Sequence, residues 1–217
     1  MRGFNLAQYE FRTLKAQQLM QQHELGALLL TTETNVRYFT GFLTRFWESP
    51  TRPWYLIIPQ SGKPIAVIPS IGEALMSKTW VEDIRTWPSP DLTDDGINLL
   101  SETLNEVAKK NRVGIPSGAE THVRIPRNDL IKLSQSVNLS HDFEIVKNLR
   151  MKKSKEEIIK IEKACMIAKE AFSRVPEIAS ENIRLDEVFR RFQVLCLEAG
   201  ADWVPYLAGG ADTEGYD

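Results

Sequence analysis

The side chains best suited to holding a small ligand are concentrated in one short stretch. Between Phe42 and Trp54 lie Phe42, Arg45, Phe46, Trp47, Arg52 and Trp54. A guanidinium clamps a carboxylate through parallel N–H···O bonds, and neighbouring rings enclose an apolar group. One reading is a small-molecule or peptide contact surface, with Arg45, Trp47, Arg52 and Trp54 as substrate-binding candidates. The other is a loop whose rings are simply buried against a core or an interface, and composition alone does not separate the two.

Other chemistries find less support. The histidines, His23, His122 and His141, are far apart and form no H-E-x-x-H or comparable metal pair, so each reads as a surface or structural residue. No G-x-S-x-G elbow, P-loop or G-x-G-x-x-G occurs, and the Gly209-Gly210 pair does not substitute for one. Asp212, Glu214 and Asp217 offer oxygens to a hard cation, but their spacing with Gly215 does not fit an EF-hand, and a solvated turn is expected. No metal ligand and no catalytic residue is assigned in the chain.

Composition narrows the classes further. The chain has 217 residues, 42% hydrophobic and 26% charged, with a net charge of −2, which is ordinary for a globular protein. Near-neutral charge gives no footprint for nucleic acid or an anionic membrane. No apolar run reaches the roughly 18 residues of a membrane span, and no apolar segment follows Met1-Arg2-Gly3, so a cytoplasmic protein is expected. Cys165 and Cys196 both fall on apolar helical stripes and read as buried free thiols.

The elements that must position the loop follow from periodicity and turn residues. Helices are expected over 6–25, 70–80, 94–110, 126–133 and 143–149, with a short helix or turn over 32–38 stopped by Thr40-Gly41. Strands are expected over 27–31, 54–58, 65–68, 81–87, 113–115 and 137–139. The segment 59–64, Pro-Gln-Ser-Gly-Lys-Pro, joins the second and third of these as an antiparallel hairpin. Strands alternating with helices argue for an α/β domain with a mixed sheet.

A second kind of region begins at Ser154. Ser154 and Glu157 have capping-box spacing, and Ile158, Ile161, Cys165, Ala168, Phe172 and Val175 then recur on one helical stripe until Pro176. A further helix is expected over 185–199, closing at Gly200. The two helices carry around ten large apolar side chains, each contributing about 1.5–3 kcal/mol if buried, with little sequence after Gly200 to cover them.

Two segments carry a family resemblance. Asn35-Val36-Arg37-Tyr38-Phe39-Thr40-Gly41 resembles the N-Ψ-x-Y-x-[ST]-G signature of the amino-terminal domain of the creatinase, prolidase and aminopeptidase P superfamily. Arg150-Met151-Lys152-Lys153-Ser154-Lys155-Glu156-Glu157-Ile158 resembles the R-x-x-K-[ST]-x-x-E-[IL] entry into that superfamily's pita-bread catalytic domain. The order and separation match, and together they span essentially the whole chain.

The resemblance implies a ribonuclease-H-like amino-terminal domain over 1–142, a linker helix and joint over 143–153, and the first helices of an incomplete pita-bread domain over 154–217. It implies a homodimer acting on a peptide or small amide substrate. Members typically cleave Xaa-Pro bonds with a pair of Mn, Co or Zn ions, held by residues beyond the last residue here; creatinase-like members hydrolyse other C–N bonds without metal. By the same resemblance the loop after the [ST]-G motif, here Arg45 to Trp54, reaches the partner's active site.

One departure stands out. Where many members have S-G-x-N-x-x-x-x-H, this chain has Ala208-Gly209-Gly210-Ala211-Asp212-Thr213-Glu214-Gly215-Tyr216. Tyr216 occupies the place of a substrate-contacting histidine, which leaves a substrate other than Xaa-Pro open. The expectation is the amino-terminal portion of a hydrolase, inactive by itself. The alternative is a non-catalytic peptide- or protein-binding or dimerisation module of the same fold.

Overall fold

A computed structural model describes residues 3–49, 52–211 and 214–215. The chain divides into two compact units, Met1–Lys152 and Lys153–Asp217. In the first unit the elements run α1 (Leu6–Gln22), β1 (Leu25–Leu30), α2 (Glu33–Thr40), a 3-10 turn (Arg45–Glu48), β2 (Tyr55–Pro59), β3 (Ile65–Pro69), α3 (Glu73–Met76), β4 (Asp83–Trp87), α4 (Ile97–Ala108), β5 (Arg112–Ile115), α5 (Arg127–Ser136), β6 (Leu139–His141) and α6 (Ile145–Met151).

The strands form one six-stranded sheet in the order β4-β3-β2-β1-β5-β6. Only β2 runs against its neighbours, because β1 and β3 both pair with it antiparallel while the remaining pairs are parallel. This is the mixed α/β sheet expected from the sequence, and the 59–64 segment does join an antiparallel hairpin. All of β1 is buried, as a central strand covered on both faces must be.

Period-two alternation divides β1 between two cores. Leu28 and Leu30 pack with Ala16 and Met20 of α1, whereas Ala27 and Leu29 pack with Leu100 and Leu104 of α4. The register shifts between Leu25 and Ala27, which returns Leu25 to the α1 side. Gly26 sits at that shift because a Cβ there would lie 2.8 Å from the Ala108 carbonyl oxygen.

Several boundaries differ from the sequence reading for local reasons. The Asn5 side chain accepts from the Gln8 N–H and starts α1, which stops at Gln22 rather than running to Leu25. The expected helix over 70–80 breaks into a 3-10 turn at Ser70–Gly72 and the single turn of α3. Asp94 precedes α4 instead of belonging to it, and its carboxylate accepts from Ile97 and Asn98 N–H groups at 2.9 and 3.2 Å. Asp142, buried before α6, accepts similarly from Glu144 and Val146.

The second unit contains α7 (Lys155–Ser173), α8 (Val175–Ile178), α9 (Leu185–Glu198) and the two-residue strands β7 (Gly210–Ala211) and β8 (Glu214–Gly215). The Ser154 capping box is formed in both directions, at 3.2 and 2.7 Å. Pro176 does not follow a continuous helix; it lies in the first turn of α8, where its missing N–H costs nothing.

The stripe on α7 is only partly a core face. Ala171 joins Ile178, Phe192, Leu195 and Cys196 in the core, and Phe172 meets Phe192 with ring centroids 4.9 Å apart. Ile158, Ile161, Cys165 and Phe172 are exposed within this chain. Cys165 is therefore not the buried thiol expected from its periodicity, because α9 covers only the neighbouring face. Cys196 is buried. No helix among the described residues is long and apolar enough to cross a membrane.

Two predictions follow from this packing. Gly41 has φ +76°, and a Cβ there would lie 2.3 Å from the Tyr9 hydroxyl, whereas Gly62 at φ +89° has open space. In urea unfolding, Gly41→Ala is expected to destabilise by about 2–4 kcal/mol and Gly62→Ala by about 1 kcal/mol; equal losses would contradict the Tyr9 contact. For the thiols, burial pushes the Cys196 pKa up, which lowers its thiolate fraction. With a chromogenic disulfide reagent, one thiol (Cys165) should react fast and Cys196 slowly until the protein unfolds. Two fast thiols in the folded chain would contradict this.

Candidate functional site

The approach to the site is α2, whose motif residues each have a structural task. The Thr40 hydroxyl donates to the Val36 carbonyl at 2.7 Å and accepts from the Phe42 N–H at 3.0 Å. Gly41 then takes the left-handed conformation that ends the helix. Asn35 Oδ1 accepts from Arg150 Nη1 at 2.9 Å, and the Tyr38 hydroxyl donates to the Leu149 carbonyl at 3.2 Å. Thus the two segments that carry the family resemblance are bonded to each other.

From the other sides, Arg12 and Trp80 hold the same helix. Arg12 Nη1 donates to the Tyr38 carbonyl at 2.6 Å, and its guanidinium lies 4.2 Å from the ring centroids of both Phe4 and Tyr38. Trp80 Nε1 donates to the Phe39 carbonyl at 2.8 Å. With α2 fixed, the chain leaves Gly41 in a defined direction.

The loop that follows buries its tryptophan rings and leaves Arg45 exposed. Thr44 Oγ1 accepts from the Phe46 N–H and caps the 3-10 turn. Phe42, Phe46 and Trp47 surround Trp54 at centroid distances of 5.5, 6.2 and 5.9 Å. Trp54 is fully enclosed, packed so closely on Gly72 that a Cβ there would be 2.2 Å from the indole. Trp47 is buried and Phe46 is partly exposed.

Arg45 is exposed and pairs with Glu48 at 2.7 Å. Arg52 is half-buried, its guanidinium 5.8 Å from the Phe46 ring centroid. Of the sequence candidates the structure therefore brings Arg45, Trp47, Arg52 and Trp54 into one loop, with the tryptophans buried, Arg45 exposed and Arg52 half-buried. Tyr216 lies outside the described residues, as do Asp212 and Asp217.

A further residue of this site was not visible in the sequence. Arg124 reaches the loop from a segment 75 residues away from Ser49, to whose carbonyl its Nη2 donates. Its backbone N–H donates to Thr31 Oγ1 at 2.9 Å, and its guanidinium lies 5.2 Å from the Trp47 ring centroid. Burial lowers its pKa from the ordinary arginine value, and Glu33 opposes that shift. A lone arginine in an irregular stretch carries no periodic or motif signal.

Among the described residues no group of three or more His, Cys, Asp or Glu side chains converges on a common point. His23 stacks on Phe143 at 4.3 Å between centroids, and His141 lies tilted against the same ring at 4.0 Å. At the other end of the sheet an open groove of about 540 Å³ is lined by Gly26, Gln60, Lys63, Glu82, Glu106 and Lys109 among others. There the Lys63 ammonium is already paired with Glu82, and the Gln60 amide donates to the Leu25 carbonyl.

Comparison with known proteins agrees with this architecture. Residues 12–152 match the Creatinase/Prolidase N-terminal domain. An uncharacterised hydrolase/peptidase of Sinorhizobium fredii is 25% identical over 192 residues, covering 85% of this chain and 48% of that protein. An uncharacterised peptidase of Staphylococcus epidermidis is 24% identical over 81% of this chain and 46% of its own length. The chain thus spans about half the length of the curated relatives it matches.

Among solved structures, dipeptidase PepE of Mycobacterium ulcerans superposes with a TM-score of 0.75 at 23% identity, over 99% of this chain and 57% of that one. The recombinant prolidase of Thermococcus sibiricus gives 0.78 at 22% identity, over 93% and 53%. These likenesses establish the fold. Taken with the match over residues 12–152, they show that the chain belongs to the Creatinase/Prolidase N-terminal domain family.

Proposed function

We propose that this chain is the amino-terminal portion of a Xaa-Pro peptidase or creatinase-like hydrolase, in which it supports dimerisation and contributes substrate contacts. In this reading, 1–142 is the amino-terminal domain, 143–153 the joint and 154–217 the start of the catalytic domain. The complete protein is a cytoplasmic homodimer that hydrolyses Xaa-Pro peptide bonds or related C–N bonds. If it uses a pair of Mn, Co or Zn ions, the family resemblance implies ligands outside the residues described here.

The observation that carries the reading is the two-sided loop of a creatinase/prolidase domain. Buried rings of Trp47 and Trp54 fix its shape, and Arg45 and Arg52 stand on its outer side. A preorganised loop holding guanidinia outward costs little ordering when a peptide carboxylate or carbonyl meets it. Arg45 and Arg52 are the direct contacts, Trp47 and Trp54 support them from behind, and Tyr216 contacts substrate where many relatives carry a histidine.

Kinetics of the full-length protein test this. Arg45→Gln and Arg52→Gln are each expected to lower kcat/KM about tenfold on the peptide it cleaves, a loss of about 1.4 kcal/mol of transition-state stabilisation. Unchanged kinetics with a weakened dimer would assign the arginines to the interface and overturn the substrate role. The 217-residue chain alone, assayed with Mn²⁺ on Xaa-Pro dipeptides, is expected to show no turnover above a metal-free blank; turnover would place the catalytic groups within it.

A further inference from the structure

The 3-10 turn that carries Arg45 also carries a competitor for it. With three residues per turn, side chains at i and i+3 eclipse, so Arg45 and Glu48 emerge from the same side of the turn Arg45–Glu48. Arg45 Nη1 meets Glu48 Oε1 at 2.7 Å, and the two side chains are 64% and 70% exposed. The backbone beneath them is held at both ends. At its start Thr44 Oγ1 accepts from the Phe46 N–H. Past its end the Ser49 N–H donates to the Phe46 carbonyl, and the Ser49 carbonyl accepts from Arg124. The pair is therefore in place before any ligand arrives.

An anion that approaches Arg45 meets a carboxylate already bound there. An ion pair this exposed is favoured by no more than about fivefold, so a ligand carboxylate that engages the guanidinium through two N–H groups can displace it. Until displaced, Glu48 occupies a donor of Arg45 and repels the incoming negative charge. A ligand with a neutral amide in the same place meets no such repulsion. Arg52 has a different setting, its guanidinium 5.8 Å from the Phe46 ring centroid.

We propose that Glu48 is a specificity-determining residue: it competes with a substrate carboxylate for Arg45, and so sets how strongly peptides with a free carboxyl terminus are preferred over their amides. This rests on the reading that Arg45 contacts substrate. Glu48 acts through Arg45 and takes no part in the cleavage of the bond. Its effect belongs to binding and falls on anionic substrates alone.

The test measures kcat and KM of the full-length protein on a peptide it cleaves and on the carboxyl-terminal amide of that peptide. Glu48→Gln keeps the size of the side chain and removes its charge. It is expected to raise kcat/KM on the free acid about threefold, through KM, and to leave the amide unchanged. If the amide is not turned over, its inhibition constant against the free acid takes the place of KM. Glu48→Ala should act in the same direction. In an Arg45→Gln background Glu48→Gln is expected to change nothing, whereas in an Arg52→Gln background it should keep its effect of about threefold.

An unchanged or lowered kcat/KM on the free acid, an equal change on the amide, or an effect that persists in Arg45→Gln would overturn the role of Glu48. So would an altered near-ultraviolet circular dichroism spectrum with kcat/KM lowered on both peptides, which would assign Glu48 to the shape of the loop around Trp54. Parental kinetics in Arg45→Gln on both peptides would instead defeat the substrate contact itself, and the competition with it.

Discussion

The pair of bonds between α2 and α6 is the constraint on which the rest of the first unit depends. Asn35 meets Arg150 across 115 residues of sequence, and Tyr38 meets the Leu149 carbonyl across 111. The Asn35–Arg150 bond is charge-assisted and partly buried, so losing Arg150 takes this donor from the buried Asn35 oxygen at a cost of about 1–3 kcal/mol. Helix α2 is too short to hold itself. Arg12, Trp80 and α6 grip it from separate elements, and that grip sets where Gly41 releases the loop.

The loop inherits its character from this placement. Its rings do not stack on solvent-facing ligands; they build a small core around Trp54, closed below by Gly72. Such a core gives a non-periodic segment a fixed shape without a strand or helix to support it. Arg45 and Arg52 then extend from a rigid base, while Arg124 enters from behind and binds the loop backbone at Ser49. Of the two readings left open by composition, buried rings describe Trp47 and Trp54, and a contact surface is the role proposed for Arg45 and Arg52.

Much of the fold is legible in the sequence because it rests on local rules. The Ser154 capping box, the hairpin over 59–64 and the alternation of buried strands need only neighbours within a few residues. What escapes depends on contacts at long range. Periodicity marked the α7 stripe but not which part α9 covers, so Cys165 is exposed where a buried thiol was expected. Likewise Arg124 reaches the site through a single backbone anchor at Thr31, and no spacing rule predicts such a meeting. The motif residues Asn35, Tyr38 and Arg150 were recognisable by resemblance, but their mutual bonding was not.

The central claim is that the two motif segments act as one coupled unit. A double-mutant cycle with Asn35→Ala and Arg150→Met, measured by urea unfolding of the first unit's transition, tests it most directly. The account predicts a coupling of about 1–2 kcal/mol between the two sites. Additive effects within about 0.3 kcal/mol would contradict it, and would leave the direction of the loop without its support.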